Sequence, residues 1–255
     1  MLIALRAIIA RELLRFFAQR ERFIAALVRP LIWLFVFAAG FRAALGLSII
    51  PPYQTYITYE TYILPGLTGM ILLFSGMQSS LSLVHDRELG AMRLMLTAPQ
   101  PRVLMLGAKL LAGAAVGLAQ VAAFLLIAAI FGLRFSVWGY ITALPAILLA
   151  ALMLGALGLV LSSRIKQLEN FAGIMNFVIF PMFFMSSALY PLWKMRESSE
   201  LLATLCALNP FTHAVELIRF AAYGQWNLAA FGWVLLASVI FFAAAIWGYE
   251  PAKTR

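Results

Sequence analysis

Two uncharged stretches, residues 61–84 and 110–133, constrain this chain more than anything else in it. A hydrocarbon layer of about 30 Å needs about 20 apolar residues in a helix to cross it. Both stretches exceed that length without one Asp, Glu, Lys or Arg. Lipid offers backbone N–H and C=O groups no solvent partners, so such stretches are helical. The rest of the chain agrees: 64% of its 255 residues are hydrophobic and 11% charged, against about 45–50% and about 25% in soluble domains. Mean hydropathy is +0.95. The sequence predicts an all-α polytopic membrane protein.

Between the two stretches lies HDRELGAMRLMLTAPQPRVLMLGAK, residues 85–109, which holds the only Asp of the chain. A charged, Pro-punctuated segment between two spans is a loop where the chain leaves the membrane and returns. After His85-Asp86, residues 87–98 have the length of three helical turns. Asp86 suits an N-cap there, and Glu88 favours the start through the helix dipole. Leu89, Met92 and Leu96 form one stripe with Met95 beside it, and Pro99-Gln100-Pro101 ends the helix. A short Met/Leu face fits a cleft in a partner protein and equally fits the membrane surface; the pattern leaves both open.

Residues 1–22 read as an amphipathic interfacial helix. Leu2, Leu5, Ile9, Leu13 and Phe16 share one side, and Arg11, Glu12, Arg15 and Arg22 gather opposite, with Arg6 and Arg20 breaking the pattern. A single transmembrane domain, 23–255, follows. Its six expected spans are 23–47, 61–84, 104–133, 138–163, 170–190 and 228–248. The first carries Arg29-Pro30 near its inner end, with the helix proper beginning at Pro30 and Arg29 snorkelling to the interface. Tyr53, Tyr56, Tyr59 and Tyr62 then recur every third residue, as an interfacial belt or as the lining of an outer mouth. Gly113 and Gly117 in the third span, and Gly155 and Gly158 in the fourth, allow close helix approach. Pro181 is expected to kink the fifth span. The segment 194–224 reads as two short outer re-entrant helices. One spans about 198–207. The other has Asn209 as N-cap, Pro210 at its first turn, Glu216 and Arg219 on its polar face, and Gly224 past its end.

Orientation follows from the basic residues. Six spans place both termini, the loop 85–103 and the Arg164 loop on one side. That side holds 14 of the 19 Lys and Arg; Arg42, Arg134, Lys194, Arg196 and Arg219 hold the other. The bias puts the termini in the cytoplasm, so the formal net charge of +9 reflects topology and points to no nucleic-acid partner. One cysteine, Cys206, excludes an internal disulfide.

Catalytic chemistry finds little footing. His85 and His213 fall on opposite sides of the membrane, and no HExxH, paired Cys or GxxxxGK[ST] is present. Asp86 and Glu88, two apart on a helix, diverge and cannot chelate together. Spans two, four, five and six lack ionisable residues at their centres, which speaks against the alternative of an ion-coupled secondary transporter. The scarcity of His and Asp speaks against a second alternative, a membrane-embedded enzyme.

An ordered set of segments resembles the type-2 permeases of ATP-binding-cassette exporters. RPLIWLFVFAAGF from Arg29 resembles that family's first span, and YILPGLTG from Tyr62 the opening of its second. Asp86, Arg87, Glu88, Gly90, Pro99, Arg102, Gly107 and Lys109 are similar to its loop signature DRE-x-G, P-x-x-R and GK. FPMFFMSSALYP from Phe180 and NPFTHAVELIR from Asn209 resemble the end of the fifth span and the re-entrant segment. The resemblance implies a transport subunit of the inner (cytoplasmic) membrane without an ATPase site or cofactor of its own. It implies a separate nucleotide-binding ATPase that carries ATP and Mg, and a second permease chain, identical or not. A coupling helix would dock the ATPase through Asp86, Arg87, Glu88, Gly90, Met92, Arg93, Met95, Leu96 and Pro99. Its expected function is export of an amphiphilic or polymeric substrate by alternating access.

Overall fold

The computed structural model describes residues 20–37, 51–55, 57–88, 102–165 and 167–249, together with 10, 14 and 40. The interfacial helix expected at 1–22 lies almost wholly outside them, as do Arg42 and Tyr56. Nine α-helices account for most of the described residues: α1 (Arg20–Ile32), α2 (Tyr59–Glu88), α3 (Arg102–Ile130), α4 (Val137–Arg164), α5 (Leu168–Phe184), α6 (Leu192–Ser198), α7 (Glu200–Leu208), α8 (Pro210–Ala221) and α9 (Leu228–Gly248). A π-helical turn, Trp33–Phe37, continues α1.

Among the described residues, four helices are long and apolar enough to cross a membrane: Tyr59–His85, Val103–Ile130, Val137–Arg164 and Leu228–Gly248. The pair α7 and α8, bent by 75° at Asn209, brings the number to five if it is one span. Phe23–Val36 and Leu168–Phe184 are shorter apolar helices.

Several boundaries differ from the sequence expectation, each for a physical reason. α2 begins at Tyr59 and runs past Val84 to Glu88: charge marks where hydrocarbon ends, not where a helix ends. Asp86 therefore sits inside the last turn of α2 and is not an N-cap. α1 does not begin at Pro30 but encloses it. A proline inside a helix removes one i→i−4 bond and crowds the carbonyl behind it, and the wider π turn follows directly. Arg29 lies not at an end of the bundle but against Phe74, at the midpoint of α2. α5 stops at Phe184, short of Tyr190. Pro181 stands in its last turn, accepting from Met185 N–H, so it produces no mid-helix kink. Three short helices, not two, precede Gly224, because Leu192–Ser198 forms a turn of its own.

Capping chemistry explains most of the ends. Ser136 accepts from Gly139 N–H at 2.9 Å and opens α4. Gly132, at φ +86°, closes α3 with Leu133 N–H on Ala128 O, the left-handed cap that glycine adopts without a Cβ penalty. Asn209 accepts from Phe211 N–H at 2.9 Å and opens α8, while its Nδ2 donates to Met182 O and Met185 O, pinning the α7–α8 bend to the end of α5. α2 and α4 pack together along their length, flanked by α3, α8 and α9. Within its most apolar window α2 is 78% buried and α9 only 17%, so α2 is the axis of the bundle and α9 lies at its edge.

Candidate functional site

The residues that carry charge or close contact are distributed along α2: one group near each end and a crossing between. At the Glu88 end, α2 passes Asp86, Arg87 and Glu88, and the chain resumes in α3 at Arg102. Gly90, Met92, Arg93, Met95, Leu96 and Pro99 lie outside the described residues. Just inside this end Lys109 of α3 is buried, at 6% exposure, and donates from Nζ to Ser82 Oγ at 3.2 Å. Ser82 Oγ in turn donates to Ser79 O at 2.9 Å. The two helices that bracket residues 89–101 are thereby tied together close to where they leave the bundle.

At the crossing, α2 and α4 meet backbone to backbone. A Cβ placed on Gly76 would fall 2.9 Å from Gly155 N, and one on Gly158 would fall 2.7 Å from Gly76 O. Gly155 also faces Leu110 of α3, at 2.7 Å from such a Cβ. On α3, Gly113 would meet Ser79 Oγ at 2.5 Å and Gly117 would meet Leu72 Cδ2 at 3.2 Å. Sequence reasoning singled out the four glycines of α3 and α4 and missed Gly76, which has no small residue three or four positions away on its own helix except Ser79 and Ser80.

The Tyr59 end holds a buried ion pair. Arg219 of α8 is 2% exposed and pairs with the Glu216 carboxylate one turn earlier. Its Nη2 donates to Ser187 O at 2.8 Å, and its Cζ lies 4.1 Å from the Tyr62 ring centroid. The Tyr62 hydroxyl donates to the same Ser187 carbonyl at 3.0 Å. Tyr53 stands edge-on to Tyr223 at 4.9 Å and 6.3 Å from Tyr62. Burial holds the Tyr53 and Tyr223 hydroxyls above the ordinary phenol range, although the Arg219 charge pulls the other way. Both therefore stay neutral. A charge this deep is retained only when paired and hydrogen-bonded, and here the partners come from α2, α8 and the turn after α5. The arrangement binds elements together and offers no nucleophile. Among the described residues no three His, Cys, Asp or Glu side chains gather as for a metal ion.

Tyr53, Tyr59 and Tyr62 are each at most 3% exposed, so they form neither an interfacial belt nor an open mouth; Tyr53 and Tyr62 surround Arg219. Their three-residue recurrence signalled one helical side, without saying that protein rather than lipid covers it. Ser187 carried no sequence signal, since it contributes a carbonyl.

The family model for the ABC-2 type transporter matches residues 3–223. The chain belongs to the ABC-2 type transporter family. It is similar to a transport permease by name, ycf38 of Porphyra purpurea, at 27% identity over 229 residues, 88% of this chain and 75% of that one. The protein of the same name from Pyropia yezoensis is 25% identical over 95% of this chain and 84% of its own length, and that from Cyanophora paradoxa 24% identical over 83% and 73%. The permease is an integral membrane protein, and membrane components of this family normally work with a nucleotide-binding ATPase. The matched region takes in the whole of α2, the crossing at Gly76 and the Arg219 pair, and ends at Tyr223.

Proposed function

We propose that the permease is the membrane subunit of an ATP-driven exporter of the inner membrane, moving an amphiphilic or polymeric substrate out of the cytoplasm by alternating access. In this reading a separate ATPase, holding ATP and Mg, docks on the loop 85–103, and a second permease chain completes the pathway. Both termini are cytoplasmic. α1 with its π turn and α5 complete six spans, 1–22 lies along the membrane surface, and α7 and α8 re-enter from the outer face.

One observation carries the reading. A single unbroken helix, α2, joins the charged segment at Glu88 to the aromatic cage around Arg219, and between them it crosses α4 on glycine. Force applied at Glu88 travels along the helix through the glycine crossing as far as residues 65–69, which lie against α8 and the turn after α5. Packing geometry supports re-entry of α8. Phe211 reaches Gly69, about 15 Å along α2 from Tyr59 at about 1.5 Å per residue. At the other end of α8, Tyr223 returns to Tyr53.

The test is co-purification with a Walker-A ATPase that lacks spans of its own, then ATP hydrolysis and transport by the complex in lipid. Glu88→Ala is expected to leave the permease inserted and to weaken ATPase docking or coupling. Transport driven by a proton gradient without ATP overturns the reading, and unchanged transport in the Glu88 variant removes that residue from it.

A further inference from the structure

We infer that His213 and Trp233 form an acid-strengthened clasp, in which a proton taken up by the imidazole tightens the hold of α8 on α9. The two rings stack, with centroids 5.3 Å apart and planes 14° from parallel. They meet because α8 has two packed sides. Phe211 and Val215 turn towards α2, where each comes within 3.1 Å of a Cβ built on Gly69. His213, two residues from both, points to the opposite side and covers the Trp233 indole of α9. His213 is half-buried, and Trp233 remains 53% exposed. Glu216, one turn further along the His213 side of α8, keeps 21% of its side chain exposed. A carboxylate facing hydrocarbon is costly, so this stretch of α8 adjoins water and a proton reaches the imidazole.

The charge on the ring sets the strength of the contact. Neutral imidazole over indole places two electron-rich faces together. Imidazolium places a cation over the aromatic ring that attracts cations best, which strengthens the contact about fivefold to thirtyfold. Few other groups bear on the proton. On α8 they are Glu216 and the Arg219 paired with it. α7 brings the buried Cys206 thiol and the Ala207 backbone next to the bend. α9 brings none, since Leu228–Gly248 holds no Asp, Glu, Lys, Arg, His, Cys or Tyr. On α4, which packs against both helices, Tyr140 and Arg164 stand towards opposite ends. Half-burial opposes the charge, and the Ala207 backbone and the Glu216 carboxylate favour it. Histidine is the side chain that changes charge between about pH 5 and 8. α8 thus has a fixed attachment, through Arg219 to Tyr62 and Ser187, and an adjustable one, through His213 to α9.

The test follows the proton directly. The chain has two histidines, His85 and His213, so the full-length permease with isotope-labelled histidine, in phosphatidylcholine nanodiscs, gives two magnetic-resonance signals, and His213→Gln assigns them. Both are titrated from about pH 8 to about pH 5. Trp233→Leu is expected to lower the proton affinity of His213 about fivefold to thirtyfold and to leave His85 unmoved. Trp233→Phe, which keeps a ring of weaker cation affinity, is expected to fall between. By linkage, the proton tightens the stack by the factor with which the stack holds the proton. Tryptophan fluorescence is the second readout. Imidazolium quenches a stacked indole, so acidification is expected to dim the wild type and to lose that step in His213→Gln and Trp233→Leu. A stack with a packing role alone would weaken the fold in these variants without moving the titration. The same midpoint in wild type and Trp233→Leu overturns the inference, as does a His213 signal that stays neutral throughout or an equal shift at His85. None of these readouts involves the ATPase, so the export reading is tested separately.

Discussion

Replacing Arg219 by Met tests whether the buried pair holds the Tyr59 end together. Met fills much of the same volume without charge. It leaves the Glu216 carboxylate without its cation, strips Ser187 O of one donor and removes the cation over Tyr62. Breaking a buried pair from one side costs about 3–5 kcal/mol. Glu216 keeps 21% of its side chain exposed, so water solvates part of the orphaned carboxylate and the lower end, about 3 kcal/mol, applies. The lost cation–π contact adds about 1 kcal/mol. Arg219→Met is therefore expected to lower the unfolding free energy by about 3–4 kcal/mol. Glu216→Leu alone, which strands a guanidinium buried on every side, is expected to cost at least about 3 kcal/mol. The double variant buries no charge and is expected to be more stable than either single variant by about 2 kcal/mol, because apolar replacement of a whole pair is often near neutral. Unfolding in mixed micelles against SDS mole fraction, followed by tryptophan fluorescence, gives all three values. If the single losses simply add in the double variant, the two charges are not coupled and the pin does not exist.

Gly76→Ala is expected to destabilise by about 1–3 kcal/mol, because its methyl meets Gly155 N at 2.9 Å and backbone cannot rotate away; Gly232→Ala in α9, where nothing lies within 4 Å, is the control and should be neutral or slightly stabilising. Equal effects at the two sites in the same micelle titration would remove the close crossing. Cys206 is 0% exposed, so an impermeant maleimide is expected to leave it unlabelled from either side of intact vesicles and to label it after SDS unfolding; rapid labelling from one side of the folded permease would contradict the packing of α7 under α8.

Reading the sequence located α9 to the residue and α3 and α4 within three residues at each end, because long apolar stretches closed by Gly132, Ser136 and Asn227 leave little choice of register. It located α8 equally well, since Asn209-Pro210 and Gly224 are local chemistry. Facing was less legible. A Tyr every third residue and a Glu–Arg pair three apart mark sides of helices, but lipid, water and protein all accept an aromatic or paired side. Only the tertiary fold tells that Tyr62 and Arg219 face each other across 157 positions of chain. Arg29 misled for the opposite reason. Its sequence position beside Pro30 suggests a helix end, whereas α1 begins nine residues earlier and carries it to mid-depth.

In the proposed cycle, the layout of α2 lets a push at the Glu88 end leave the Arg219–Glu216 pair at the other end intact. From Gly76 to Glu88 the helix carries no proline, and Lys109 braces it from α3, so in the proposed cycle this half would move as one piece. At the crossing, glycine faces glycine, with Ser80 of α2 packed against Gly158 and Leu110 of α3 against Gly155. Compliance is concentrated beyond it. Pro65 removes a backbone N–H from the ladder. Gly66 lies under the Ala188 carbonyl, 2.5 Å from an added Cβ, and Gly69 lies under Phe211. Tyr62 and its bond to Ser187 lie past this soft turn, anchored to Arg219. In the proposed cycle, movement of the Glu88 half is thus taken up at residues 65–69, directly against α8 and the turn after α5. The buried ion pair then acts as the fixed point against which that bend works, and not as the element that opens.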